Sequence, residues 1–161
     1  MNTCTEADFE RLSWHDNYIR AIDIRVGDPD VSDWTADLVF DLDFILEWVC
    51  GRDGRAQFRV APARLVFLGV TDLRINIDWG DSGFQTMLHE ASIDRIERRL
   101  VDHQKVFLDR PYYSWRIALN WPKGGAVQFG AVGFTQTLRA EPVLIDQQRL
   151  SSLERARLMG S

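Results

Sequence analysis

The chain has 161 residues, 45% of them hydrophobic and 27% charged, with 19 Lys and Arg against 24 Asp and Glu. At that length one core can form without metal or disulfide staples. Apolar runs such as Leu65 to Val70 fall far short of the roughly 20 residues that cross a bilayer as a helix. A net charge of −5 has the wrong sign for gripping a phosphate backbone, so neither a membrane nor nucleic acid is the expected partner.

Thr5 to Leu12 predicts a short helix with Thr5 as N-cap, acids in its first turn, and Phe9 and Leu12 turned inward. From Tyr18 to Val26 the apolar Ile22, Ile24 and Val26 alternate with Asp23 and Arg25, the period of a half-buried strand, and Gly27-Asp28-Pro29-Asp30 breaks it. Trp34 to Cys50 carries the strongest pattern. Leu38, Phe40, Leu42, Phe44, Leu46 and Trp48 share one parity, with Asp37, Asp41, Asp43 and Glu47 on the other. The turn at Arg52-Asp53-Gly54-Arg55 leads into a return from Gln57 to Val60, so residues 34–60 read as a hairpin.

Pro62 cannot donate to a ladder and is expected to end that strand or mark an edge, with a more buried strand starting at Leu65. Leu73 to Trp79 alternates again and stops at Gly80-Asp81-Ser82-Gly83. Ser92 to Val101 fits a helical stripe through Ile93, Ile96 and Leu100, but its neighbours favour a strand. Trp115, Ile117, Leu119 and Trp121 form one strand face, Lys123-Gly124-Gly125 turns, and Ala126 to Arg139 returns, with Gly130 and Gly133 pointing to a bulge or bend. Gln147 to Leu158 predicts a terminal helix with Leu150, Leu153 and Leu158 inward. The expected fold is therefore mainly β (α+β): one domain over residues 1–161, an antiparallel twisted sheet or sandwich of about eight strands with short N- and C-terminal helices.

Charge is laid down unevenly. Residues 1–50 hold twelve acids and three bases (net −9), and residues 51–161 hold twelve acids and sixteen bases (net +4). An acidic surface of this kind speeds encounter with a basic partner, although solvated strand faces give the same count. Cys4 and Cys50 lie far apart with no Cys-x-x-Cys spacing, which excludes zinc-finger and thioredoxin-type sites. The opening residues carry Glu6, Asp8 and Glu10 rather than the basic flank and apolar stretch of a secretory signal, so a cytoplasmic protein with two reduced thiols is expected.

Two constellations contain residues suited to chemistry. Trp14-His15-Asp16-Asn17 precedes the first long strand, where His15 has the pKa range of a general base or metal ligand and Asp16 is placed to orient it. On the long strand Asp41 and Asp43 would lie about 7 Å apart on one face, a spacing at which two carboxylates share a metal or divide acid and base roles. Each has a plainer reading. Asp16 and Asn17 are turn formers, His15 satisfies backbone groups at a sheet edge, and the acids form a wet sheet face paired with Arg20, Arg25, Arg59 or Arg74. Arg95, Arg98 and Arg99, interleaved with Glu97, read as a solvated patch. Most of the six Trp fall on core parities, while Trp34 and Trp121, at strand ends, are placed to line a binding rim. No nucleophile elbow, phosphate loop, dinucleotide fingerprint or zinc-protease motif occurs.

The Ser13-Trp14-His15-Asp16-Asn17 lead into a β run, with Phe44-Ile45-Leu46-Glu47-Trp48 and Val60-Ala61-Pro62-Ala63 beyond it, resembles small bacterial single-domain proteins, among them some immunity proteins of polymorphic-toxin systems. That resemblance implies a protein that neutralises a toxin by covering it. The leading expectation is a non-catalytic protein-binding or self-associating domain without cofactor, contacting its partner through His15, Asp16, Asp41, Asp43, Glu47 and Trp34. The alternative is a small metal- or carboxylate-dependent hydrolase-like enzyme using His15 with Asp16, Asp41 and Asp43.

Overall fold

A computed structural model describes residues 3–51, 54–80, 88–102 and 109–160. The strands are β1 (Thr3–Thr5), β2 (Tyr18–Val26), β3 (Ala36–Cys50), β4 (Ala56–Leu68), β5 (Thr71–Asn76), β6 (Ala91–Leu100), β7 (Tyr113–Trp121), β8 (Ala126–Ala131), β9 (Gly133–Leu138) and β10 (Val143–Ile145), followed by helix α1 (Ser152–Met159). All pairings are antiparallel, in the order β1-β9-β4-β3-β2-β6-β7-β8-β5, with β10 also on β4. The expected mainly-β antiparallel class is the observed one, with ten strands among the described residues rather than about eight. The N-terminal helix is a 3-10 turn over Glu6–Arg11, closed by a Thr5–Asp8 capping box.

The open sheet curls so that its two halves share one core. Phe67 on β4 meets Phe129 on β8 at 4.7 Å between ring centroids and Trp115 on β7 at 5.1 Å. Leu38, Phe40, Leu42 and Phe44 enter this core from β3 in the alternation the sequence predicts. The alternation then fails. A bulge between Ile45 and Glu47 leaves Leu46 outside the ladder, so Glu47 pairs with Arg59 and Trp48 with Phe58. One extra residue reverses the parity of everything after it: Trp48, expected in the core, is 56% exposed, and Glu47 leaves the face that carries Asp41 and Asp43. Asn17 bonds to the strand beside the bulge, its Oδ1 accepting from the Ile45 N–H at 3.0 Å.

Pro62 does not end its strand; β4 runs through it from Ala56 to Leu68. The Pro62 carbonyl accepts from the Arg139 N–H (2.7 Å), so the edge without a donor faces the gap between β10, which pairs with residues 58–60, and β9, which pairs with residues 63–68. Ser92 to Val101 resolves as strand β6, held by β7 on one side and by β2 at its start. The predicted return strand is divided at Val132 into β8 and β9. The C-terminal helix is shorter than predicted and capped by Ser151 with Glu154; Leu150 is buried, but Leu153 faces outward.

The outer face of β3 and β4 carries a second, smaller core. Ile45, Phe58, Val60 and Leu150 pack there with Val143, Ile145 and Leu158. The C-terminal segment thus covers the face on which the acids of β3 stand.

Candidate functional site

That cover corrects the expectation that the acids of β3 face water. Asp43 is completely buried. Its Oδ2 accepts from Arg20 of β2 through Nε (2.9 Å) and Nη2 (2.5 Å) and from the Leu150 backbone N–H (3.1 Å), while its Oδ1 accepts from Arg155 of α1. Arg155 also bonds Asp41 and donates to the Leu42 carbonyl (3.1 Å). Arg20 continues outward to Glu90 (2.8 Å), which takes Arg149 on its other oxygen (2.7 Å). A carboxylate so enclosed is tolerated because two guanidinium groups and an amide satisfy it. The arrangement fastens the C-terminal segment to the sheet, and Asp43 presents no surface to a partner. Glu47 stands apart, exposed and bridged to Arg59 (3.2 Å). Asp37 accepts from the Gly69 N–H (3.2 Å) at the corner between β4 and β5.

His15 and Asp16 occupy a different place. The His15 Nδ1–H donates to the Asp94 carbonyl (3.0 Å), and Nε2 lies 3.5 Å from the Asp16 carboxylate. Asp16, at φ 61°, accepts from Asn120 (2.6 Å) and Gln148 (2.9 Å). The backbone carbonyl fixes which ring nitrogen carries the proton. The four residues of the enzymatic alternative therefore divide into two separately anchored pairs, His15 with Asp16 and Asp41 with Asp43. Among the described residues no three His, Cys, Asp or Glu side chains are grouped to hold a metal ion.

Three of the most exposed large apolar side chains among the described residues lie at the far end of the β2–β3 hairpin. Val26, Val31 and Trp34 are 73%, 72% and 78% exposed. The loop is tightly built. Gly27 N–H bonds the Thr35 carbonyl (2.8 Å), Asp28 caps a 3-10 turn over Pro29–Val31 through Asp30 N–H (2.9 Å), and Asp33 N–H returns to the Asp28 carbonyl (3.0 Å). Gly27 leaves room for Asp33: a Cβ there would lie 2.4 Å from Asp33 Cγ and displace its carboxylate. Asp33 in turn accepts from the Thr35 hydroxyl (2.7 Å) and N–H (3.0 Å), and these bonds, the hydroxyl first, hold its pKa below the usual carboxylate range. Residues 23–37 carry five Asp against Arg25 alone. β2 pairs with β6 only at Tyr18 and Ile19, so beyond them its other edge has no strand partner among the described residues.

Of the residues singled out as binding candidates in the sequence, Trp34 lies on this tip; Val26, expected on the apolar side of a half-buried strand, is exposed instead, and Val31 was not singled out. Trp121, the other expected rim residue, is 46% exposed at the end of β7. Comparison of the chain with family models, curated proteins and solved structures finds no match. No helix among the described residues is long and apolar enough to cross a membrane.

Proposed function

We propose that this chain is a non-catalytic protein-binding domain that presents the tip of its β2–β3 hairpin to a basic protein partner, in the manner of an immunity protein covering a toxin. The observation that carries this reading is the rigid tip, where Trp34, Val31 and Val26 stand in solvent among Asp28, Asp30 and Asp33. An exposed Trp ringed by charge is the composition of a binding hot spot with a polar rim. The hydrogen-bonded loop reduces the entropy lost on docking, and the acidic surround steers a positively charged partner toward the apolar centre. The edge of β2 beyond Ile19, which has no strand partner among the described residues, offers main-chain bonds beside it.

The test compares wild type with Trp34→Ala and with the double variant Asp30→Lys, Asp33→Lys for capture of proteins from extracts of the source cells. The expected result is one basic protein retained by wild type in a salt-sensitive manner and weakened about tenfold or more by Trp34→Ala. Equal retention by all three forms would overturn the reading. So would sedimentation showing that the tip pairs with a second copy of the chain.

A further inference from the structure

The opposite half of the sheet carries a basic groove that the hairpin reading does not use. It has a volume of about 670 Å³ and lies along β5, β8, β7 and β6. Cross-strand register places Arg74, Gln128, Arg116 and Glu97 in one row, and Ser114 and Arg99 in the next. With neighbouring strands about 4.8 Å apart, the backbones of Arg74 and Arg116 stand roughly 10 Å from each other across Gln128. The floor between them is short and neutral. At Gly130 a Cβ would lie 2.1 Å from the Tyr112 hydroxyl, so the missing side chain is what lets the phenol close one end of the groove, where it bonds Thr71. Burial raises the Tyr112 pKa, and the Asp72 carboxylate, which accepts from Thr71, stands at the same end.

Arg74, Arg99 and Arg116 are less engaged than the arginines of the buried network and than Arg98, which also lines the groove. Arg20, Arg98, Arg149 and Arg155 all have carboxylate partners within 3.3 Å. Arg74 and Arg99 have no ion pair among the described residues, and Arg116 reaches Glu97 only at 3.8 Å. The two acids lining the groove are engaged: Glu97 accepts from Arg95 at 2.8 Å, and Asp72 from the Thr71 hydroxyl at 2.6 Å. Three guanidinium groups on three strands thus stand around Gln128, Ser114 and Gly130, against the two carboxylates Asp72 and Glu97 of the lining.

The geometry points to this groove as a binding site for a small oxyanion carrying several charges, of the diphosphate or tricarboxylate class. Guanidinium forks bind phosphate and carboxylate oxygens bidentately, and the volume falls in the range of small-ligand sites. An extended nucleic-acid backbone fits less well, because the chain as a whole is acidic. The inference is independent of the hairpin.

Isothermal titration with pyrophosphate and with citrate, at matched ionic strength, tests it. Saturable binding at one site is expected for at least one of the two, accompanied by a raised thermal midpoint. Arg74→Gln and Arg99→Gln should each weaken that binding tenfold or more, while Arg25→Gln, which removes the same charge from the hairpin, leaves it unchanged. Neither arginine has a hydrogen bond or ion pair with a described side chain, so both variants should fold, and an unaltered circular dichroism spectrum and ligand-free midpoint check this. No saturable binding of either probe would overturn the inference. So would equal losses in Arg25→Gln, which would mark a diffuse effect of net charge.

Discussion

The two ends of the β2–β3 pair reverse the usual distribution of polar and apolar groups. At the end near the bulge, a carboxylate, Asp43, is sealed inside the protein with Arg20 and Arg155; at the hairpin tip, Trp34 and Val31 stand in water. One region lies on the paired strands themselves and the other on the loop that joins Val26 to Ala36. What separates them is the cover. The segment from Val143 to Leu158 lies over one end, and no described residue lies over the other. Burial here is decided by a segment about a hundred positions away in the chain. The charged groups at the covered end act as fasteners, whereas the apolar groups at the open end are left free to meet another molecule.

The comparison breaks most sharply at Asp43. Asp43→Ala removes the acceptor shared by two guanidinium groups and leaves them buried without it, a change that typically costs about 3–5 kcal/mol. Urea denaturation should show that loss. Replacing the whole triad, with Asp43→Leu, Arg20→Met and Arg155→Met together, should cost less than the single change, because the carboxylates that lose a partner, Asp41 and Glu90, are partly exposed and no fully buried charge remains. A loss below about 1 kcal/mol for Asp43→Ala would mean that the cover is held by packing alone. Leu150→Ala probes that packing. Leu150 fills the small core between Ile45, Phe58 and Val60, and its truncation should cost about 2–4 kcal/mol. If the C-terminal segment opens as a unit, hydrogen exchange should rise across residues 143–158 and at the Leu150 amide while the tip, which lacks this cover, is unchanged.

The regular half of this architecture was legible in the sequence because it rests on local period. Tyr18 to Val26 appears as a strand with the predicted bounds, and Leu38 to Phe44 alternates as expected. The failures have a common physical form. Leu46 sits at the correct parity for the core, and nothing local distinguishes it from a paired residue; the bulge is stabilised by Asn17, 28 positions away. Pro62 is tolerated because two other strands exchange places beside it, a fact about β9 and β10 rather than about β4. The three-residue strands β1 and β10 are too short to show a period. Ser92 to Val101, by contrast, reads as a strand from its neighbours despite its helical stripe, and pairing with β7 makes it one. The site was legible only in part. The strand-end position of Trp34 marked it as a rim residue, but the burial of Asp43 needed knowledge of Arg155, 112 positions away, and the groove needed the cross-strand register that sets Arg74 beside Gln128 and Arg116.

The smallest expected effect lies where the buried network reaches solvent. Glu90 takes Arg20 on one oxygen and Arg149 on the other, and its pKa is lowered by its own backbone N–H and then by the charges of Arg149 and Arg20, which together outweigh partial burial. A carboxylate with a depressed folded-state pKa contributes stability that is fully present above its unfolded value, about 4.3, and is lost as the pH falls through the lower folded value. Wild type should therefore lose stability on acidification below about pH 5 more steeply than Glu90→Gln, with the two curves converging at the acid end. At neutral pH the difference should be about 0.2–1 kcal/mol, the range of partly exposed ion pairs. Parallel curves from pH 6 to pH 3 would show that Glu90 is a bystander on the rim and that the electrostatic fastening ends at Arg20. Converging curves would extend the fastening from Asp43 to the surface, so that acid loosens the cover from its outer edge.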